Sequence, residues 1–168
     1  SVIGKAMGGG LPIGAVAGSR AAMEPVASGR MLHRGTFNGN PVSVAAAIAC
    51  IGHLRAHADT IYPRMERLAA GLEAHIAAEA RRAGVALSVR RAGSALQVFP
   101  GLGEVGGLGD LARLDRTRTA AFTGDLLEAG VQVIGRGLMY LSSEHSAADI
   151  DETRAAFSEA IAAEARRG

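Results

Sequence analysis

The sequence has no tryptophan, only 4% aromatic residues, five prolines and a single cysteine in 168 residues. One cysteine, Cys50, excludes an internal disulfide and offers no thiolate framework for a metal. Set in an alanine-rich run, it reads as a small packed side chain rather than a nucleophile. No apolar stretch is long enough to span a bilayer, and no signal or transit segment is recognisable, so a cytoplasmic setting is expected, with no membrane partner. Lys and Arg form no block interleaved with aromatics, which argues against a nucleic-acid surface. The histidines lack metal-ligand spacing, and no metal is expected. His33, just before Gly35, either lines a site or faces water; His145 is expected to help pack the last helix.

What is present fits a folded globular chain. Hydrophobic residues make up 48% and charged ones 20%, and 23 glycines punctuate alanine-rich segments. The formal charge is only +2, with arginines spread along helical stretches beside acids, as at Arg64, Glu66 and Arg67. The chain opens on Ser1 and runs straight into Val2-Ile3-Gly4-Lys5, and it reads as a portion of something longer.

Residues 1–40 are glycine-rich and short of helical periodicity. Val2-Ile3 reads as the end of a strand, and residues 12–18 as a short buried strand bounded by glycines. Asn40 and Pro41 form a strong helix start: an Asn cap followed by a proline that needs no hydrogen-bonded N–H. Val44, Ile48, Ile51 and Leu54 then share one helix face. A second helix is expected with Thr60 as its cap. Its apolar stripe is Ile61, Met65, Leu68, Leu72 and Ile76, and it ends at Arg81-Arg82 before Gly84. Residues 85–89 and 95–99 read as strands joined at Ala92-Gly93. A glycine-rich loop over 101–109, a helix near 111–129 and strands at 131–134 and 138–141 follow. Ser146 and Asp149 make a capping box for a last helix with Ile150, Phe157 and Ile161 on its inner face. This order predicts an α/β chain: residues 1–58 as the end of one domain, and 59–168 as a small α/β domain with a mainly antiparallel sheet.

Two segments carry chemistry. Lys5 stands between a strand end and Gly8-Gly9-Gly10, where the backbone can adopt angles closed to other residues or let another group approach. Because the lysine precedes the glycines, the order excludes the GxxxxGK[ST] phosphate loop, and the run is no GxGxxG fingerprint either. On residue type alone Lys5 could equally be a solvated amine. The second segment, Gly35-Thr36-Phe37-Asn38-Gly39-Asn40-Pro41, places a hydroxyl and backbone amides before a helix N-terminus. It is either an anion site or a turn with a cap.

Taken together, Gly4-Lys5-(x2)-Gly8-Gly9-Gly10-(x)-Pro12-(x)-Gly14-Ala15 and Gly35-Thr36-(x2)-Gly39-Asn40-Pro41 resemble the class III aminotransferases, nearest to the branch of glutamate-1-semialdehyde 2,1-aminomutase and its relatives. The likeness continues through Tyr140-Leu141-Ser142-(x2)-His145-Ser146-(x2)-Asp149-Ile150-Asp151-(x)-Thr153 and is least over residues 100–113. The resemblance implies the C-terminal part of a fold type I enzyme that uses pyridoxal 5'-phosphate (PLP): the end of the large PLP-binding domain, then the small domain. It implies that Lys5 binds PLP covalently and serves as catalytic base. It further implies that Thr36 holds the cofactor phosphate across a homodimer interface, with Gly35 allowing close approach. An amino donor and a carbonyl acceptor are the implied small-molecule partners.

The family's glycine-serine phosphate turn, ring-stacking aromatic and pyridine-pairing aspartate precede this lysine motif and are not in the sequence. The segment alone is therefore expected to be inactive. The aminomutases carry a glutamate shortly before the closing strand, where this chain has Arg136-Gly137. Arginine there resembles relatives that transaminate β-amino acids, in which it grips a carboxylate; a solvated loop arginine is the other reading. The expected function is thus amino-group transfer, with the intramolecular aminomutase reaction as the alternative, or a non-catalytic dimerising module for the segment alone.

Overall fold

The computed structural model describes residues 1–168, which divide into two compact units, Ser1–Ala58 and Asp59–Gly168. In the first unit β1 (Val2–Ile3) pairs antiparallel with β2 (Ala15–Val16), in the register Val2 opposite Val16 and Ile3 opposite Ala15. A short 3-10 turn over Lys5–Gly8 and the glycine run connect the two strands. Helix α1 (Arg20–Ala27) follows, capped by the Ser19 hydroxyl, which accepts from the Ala22 amide at 3.2 Å. Sequence periodicity does not suggest α1, because it is only two turns long and contains Pro25. Helix α2 (Pro41–Ala56) starts where expected, with the Asn40 side-chain oxygen accepting from the amides of Val42 and Ser43 at 3.1 and 3.2 Å.

This unit buries little of itself. Gly8, Ser43 and Ala47 are its buried residues, and the face expected to turn inward is open at Ile48 (68% exposed) and Ile51 (47% exposed). Residues 12–18 are likewise not a buried strand: only two of them pair, and Val16 is exposed.

The second unit has a true core. Helix α3 (Ala58–Ala83) supplies Ala69, Leu72, Ile76 and Ala80, at the spacings of one helix face. It begins before Thr60, so Thr60 lies within the helix rather than capping it. Pro63 falls within the helix, in its second turn, where it removes one backbone hydrogen bond. Gly84, with φ of 66°, ends the helix in the left-handed region.

Strands β3 (Leu87–Ala92), β4 (Ala95–Pro100) and β5 (Leu138–Tyr140) form an antiparallel sheet in sequence order, with β4 in the middle. Alternation along β4 sends Leu96 and Val98 into the main core, and leaves Gln97 and Phe99 on the other face, where Phe99 packs with Leu102, Val105 and Leu114. Residues 131–134 do not form the expected strand. A hairpin closes so tightly that Ile134 alone bridges, to Leu138. The expected helix near 111–129 divides into a 3-10 turn (Leu108–Arg113) and α4 (Arg116–Glu128), because Asp115 caps α4 by accepting from the amides of Thr117 and Arg118 at 2.8 and 3.0 Å.

Helix α5 (Ala147–Arg167) packs on α4, with Phe122 and Phe157 fully buried and their ring centroids 6.2 Å apart. Between these helices Glu164 is fully buried and is paired by Arg118 and Arg167; Arg167 also grips Asp125 at 2.5 Å. A carboxylate at such a position needs both cations, because an unpaired buried charge is strongly unfavourable.

The capping box at the start of α5 is present as expected. The Asp149 carboxylate accepts from the Ser146 amide at 2.7 Å, and the Asp149 amide donates to the Ser146 hydroxyl. The Ser146 amide, followed by the Ser146 side chain, holds the Asp149 carboxyl below its ordinary value. A depressed folded-state value adds stability above the ordinary carboxylate range, and that stability is lost as pH falls through the lowered value. Asp149→Asn is expected to remove this part of the acid sensitivity, measured as the pH dependence of thermal unfolding between about pH 5 and pH 2.

Candidate active site

Lys5 is the only lysine in the sequence. It is also the only residue other than glycine with positive φ, at 58°. That backbone angle costs an L-residue on the order of 1–2 kcal/mol, so the surrounding chain must impose it. The β1–β2 pairing fixes both ends of the loop, and Gly9 continues the left-handed path at φ 57°. Gly8 lies so close to Ile13 that an added Cβ would sit 2.7 Å from its side chain. Cys50 closes the turn from α2, its Sγ donating to the Ala6 carbonyl at 3.3 Å. It is half-buried and engaged, in keeping with a packing role.

Lys5 is exposed and lines an open hollow together with Ala6, Gly10, Leu11, Pro12 and Ile13. On the other side of Pro12 and Ile13 lies a second hollow, lined by His33, Phe37, Asn38, Gly39 and Asn40. His33 therefore does line a cavity, and Phe37 stands 82% exposed at its rim.

Thr36 begins the turn over residues 36–39 that leads to the α2 cap, and lines neither of these hollows. Its hydroxyl and amide have no partner within the chain. Gly35 precedes it, and a Cβ there would come within 2.8 Å of the Asn38 side chain. A hydroxyl and a free N–H next to a helix N-terminus form a donor set suited to an anion.

Arg136 belongs to the second unit. It sits at the tip of the hairpin that joins Ile134 to Leu138, between Gly135 and Gly137. Gly137 (φ 78°) is pressed against β4, where an added Cβ would be 2.6 Å from the Val98 carbonyl. The Val98 amide donates to the Gly137 carbonyl at 3.0 Å, and the Gln97 side chain donates to the Arg136 carbonyl at 3.1 Å. The tip is thus held against β4.

Sequence reasoning misses what surrounds Arg136: Gln97, Leu111, Leu114 and Arg116 line the same hollow. The one available signal is Asp115, whose cap places Arg116 at the first position of α4. His145 is a loop fastener, its Nδ1 accepting from the Ser142 amide at 2.9 Å. That atom also lies 3.0 Å from the Ser142 hydroxyl.

The sequence model of the family described as "Aminotransferase class-III" matches residues 1–161. Among curated proteins, glutamate-1-semialdehyde 2,1-aminomutase 1 of Cenarchaeum symbiosum is 37% identical over 166 residues, covering 97% of this chain and 39% of that protein. The aminomutase of Methanopyrus kandleri is also 37% identical, over 95% of this chain and 37% of its own. The chain therefore spans about two-fifths of these relatives. Among solved structures, an omega-transaminase from Sphaerobacter thermophilus superposes with a TM-score of 0.81 at 27% identity, covering 98% of this chain and 38% of that one. A β-phenylalanine aminotransferase from Variovorax paradoxus gives 0.77 at 30% identity, covering 94% and 36%.

The left-handed angle at Lys5 carries a backbone cost that glycine would not have. Lys5→Gly is expected to be more stable than Lys5→Ala by about 1 kcal/mol, since glycine alone adopts that angle without cost; comparing the denaturation midpoints of the two variants checks this.

Proposed function

The chain belongs to the class-III aminotransferase family, and on that premise we propose that the whole protein uses PLP to move an amino group between an amino acid or amine and a carbonyl compound. The observation that carries this reading is the only lysine, held in a left-handed turn at the edge of a hollow. The donors present fit the cofactor: a primary amine suits its aldehyde, and the unpaired hydroxyl and amide of Thr36, preceded by Gly35, suit its phosphate. When bound, PLP supplies an electron sink that lets a C–H bond beside an amino nitrogen break.

In this reading Lys5 holds the cofactor through its amine. Once free of it, the same amine takes a proton from the substrate carbon and returns one to the product, which requires the neutral form of the lysine. The turn constraints matter here because they fix where that proton is taken and delivered. Thr36 donates to the phosphate, and Gly35 keeps the approach clear. Arg136 binds a substrate carboxylate.

Residues 1–58 then act as the end of the PLP-binding domain, and residues 59–168 as the small C-terminal domain. We assign the assembly as a cytoplasmic homodimer in which Thr36 serves the site of the other subunit. Supporting this are the exposed apolar side chains of the first unit, Leu32, Phe37, Val42 and Ile48, which that unit does not itself cover. No helix is long and apolar enough to cross a membrane.

The intramolecular aminomutase reaction is the second reading, favoured by the names of the 37% identical relatives. Arg136 weighs toward transfer between two molecules.

Borohydride reduction of the PLP-loaded protein is expected to fix a pyridoxyl group on Lys5, located by peptide mass spectrometry. Lys5→Ala is expected to lose the adduct and to slow amino transfer on the order of 10³-fold. An adduct on another residue, or none, overturns the assignment.

A further inference from the structure

Gly8 belongs to the 3-10 turn that starts at Lys5 and is not among the glycines with positive φ, so its backbone angle is open to other residues. What forbids a side chain there is space. A Cβ on Gly8 would lie 2.7 Å from the Cγ2 of Ile13 and 3.8 Å from its Cβ. Ile13 thus fills the notch that Gly8 leaves. On the other side of the lysine, Gly4 faces the Ile13 carbonyl, which lies 3.5 Å from where a Cβ on Gly4 would be. One residue therefore braces the chain just before Lys5 with its backbone and just after it with its side chain.

Little else holds the lysine end of the turn. The turn is four residues long and no side chain caps it. The bond from the Met7 amide to the Gly4 carbonyl, which spans Lys5, is 3.4 Å, beyond the usual range. The shorter bond from the Gly9 amide to the Ala6 carbonyl, at 3.1 Å, lies past the lysine, and so do the contacts of Cys50 with Ala6 and Gly9. The positive φ of Lys5 is thus set by what its neighbours pack against. Isoleucine suits this task, because branching at Cβ restricts χ1 and keeps the Cγ2 methyl in a fixed place.

We propose that Ile13 is a positioning residue for the Lys5 amine: its Cγ2 methyl, seated on Gly8, holds the turn in which Lys5 takes its left-handed angle. Ile13 acts through the turn alone, without touching cofactor or substrate. The role rests on the PLP reading only for what the positioned amine then does.

The test separates shape from bulk. Ile13→Val keeps the branch at Cβ, and Ile13→Leu keeps the volume without it. Gly8→Ala puts a second methyl into the notch, and Gly8→Ala with Ile13→Ala leaves room for that methyl. PLP is added back to the whole protein stripped of cofactor, and the growth of the lysine-dependent visible band is timed. The thermal midpoint of the stripped protein is measured alongside, and the Lys5 φ angle is read from a crystal structure of each variant. Ile13→Val is expected to match the wild type. Ile13→Leu and Gly8→Ala are each expected to slow the band on the order of 10-fold, with Lys5 out of the left-handed region. The double variant is expected to be faster than Gly8→Ala. If Gly8→Ala does not fold, Ile13→Leu against Ile13→Val decides the matter.

A leucine variant that forms the band at the wild-type rate, with Lys5 still at positive φ, overturns the proposal. So does a valine variant as slow as the leucine one, or a set of rates that only tracks the thermal midpoints. If the wild type forms no lysine-dependent band, the cofactor reading fails by itself, and the Lys5 angle in the leucine variant still decides whether Ile13 holds the turn.

Discussion

The loop between β1 and β2 is a backbone problem solved by glycine. Eleven residues lie between Ile3 and its partner Ala15, and the chain must turn back on itself without the room that ordinary side chains need. Gly8 passes within a Cβ's reach of Ile13, Gly9 and Gly10 take positive φ, and one non-glycine residue is pulled into the same region. That residue is the chain's only lysine. The cost of that angle is met by the rest of the loop, which fixes the backbone at this residue.

The two units differ in what holds them. The second carries a packed core of three helices on one face of a three-stranded sheet, reinforced by a fully buried carboxylate between two arginines. The first has hydrogen-bonded strands and well-capped helices but few buried side chains, with large apolar groups left in the open. Its local structure is set by turn chemistry rather than by burial, and this favours a precise loop at Lys5 over a self-sufficient core.

Much of this was legible in the sequence where a local rule has few exceptions. Asn40-Pro41, Ser146 with Asp149, and Gly84 after Arg81-Arg82 all mark helix ends where the structure has them. Legibility failed where two rules compete. Thr60 looked like a cap, yet the helix begins at Ala58 and runs through both Thr60 and Pro63. Val44, Ile48 and Ile51 formed a proper apolar stripe, but periodicity reports only which residues share a face, not whether the same unit covers that face. Residues 131–134 had strand composition, while Gly135 and Gly137 made the hairpin too tight for more than one bridge. Arg116 stayed hidden because a helix drawn from residue 111 runs through the Asp115 cap that makes it the first residue of α4.

The central claim, that the Lys5 amine binds the cofactor, is tested most directly by the visible absorption spectrum of the PLP-loaded whole protein, before and after an amino donor is added. The account predicts a yellow band that the donor discharges, and a Lys5→Ala variant that no longer shows the lysine-dependent band in the absence of donor. A variant whose band and donor response match the wild type would contradict it.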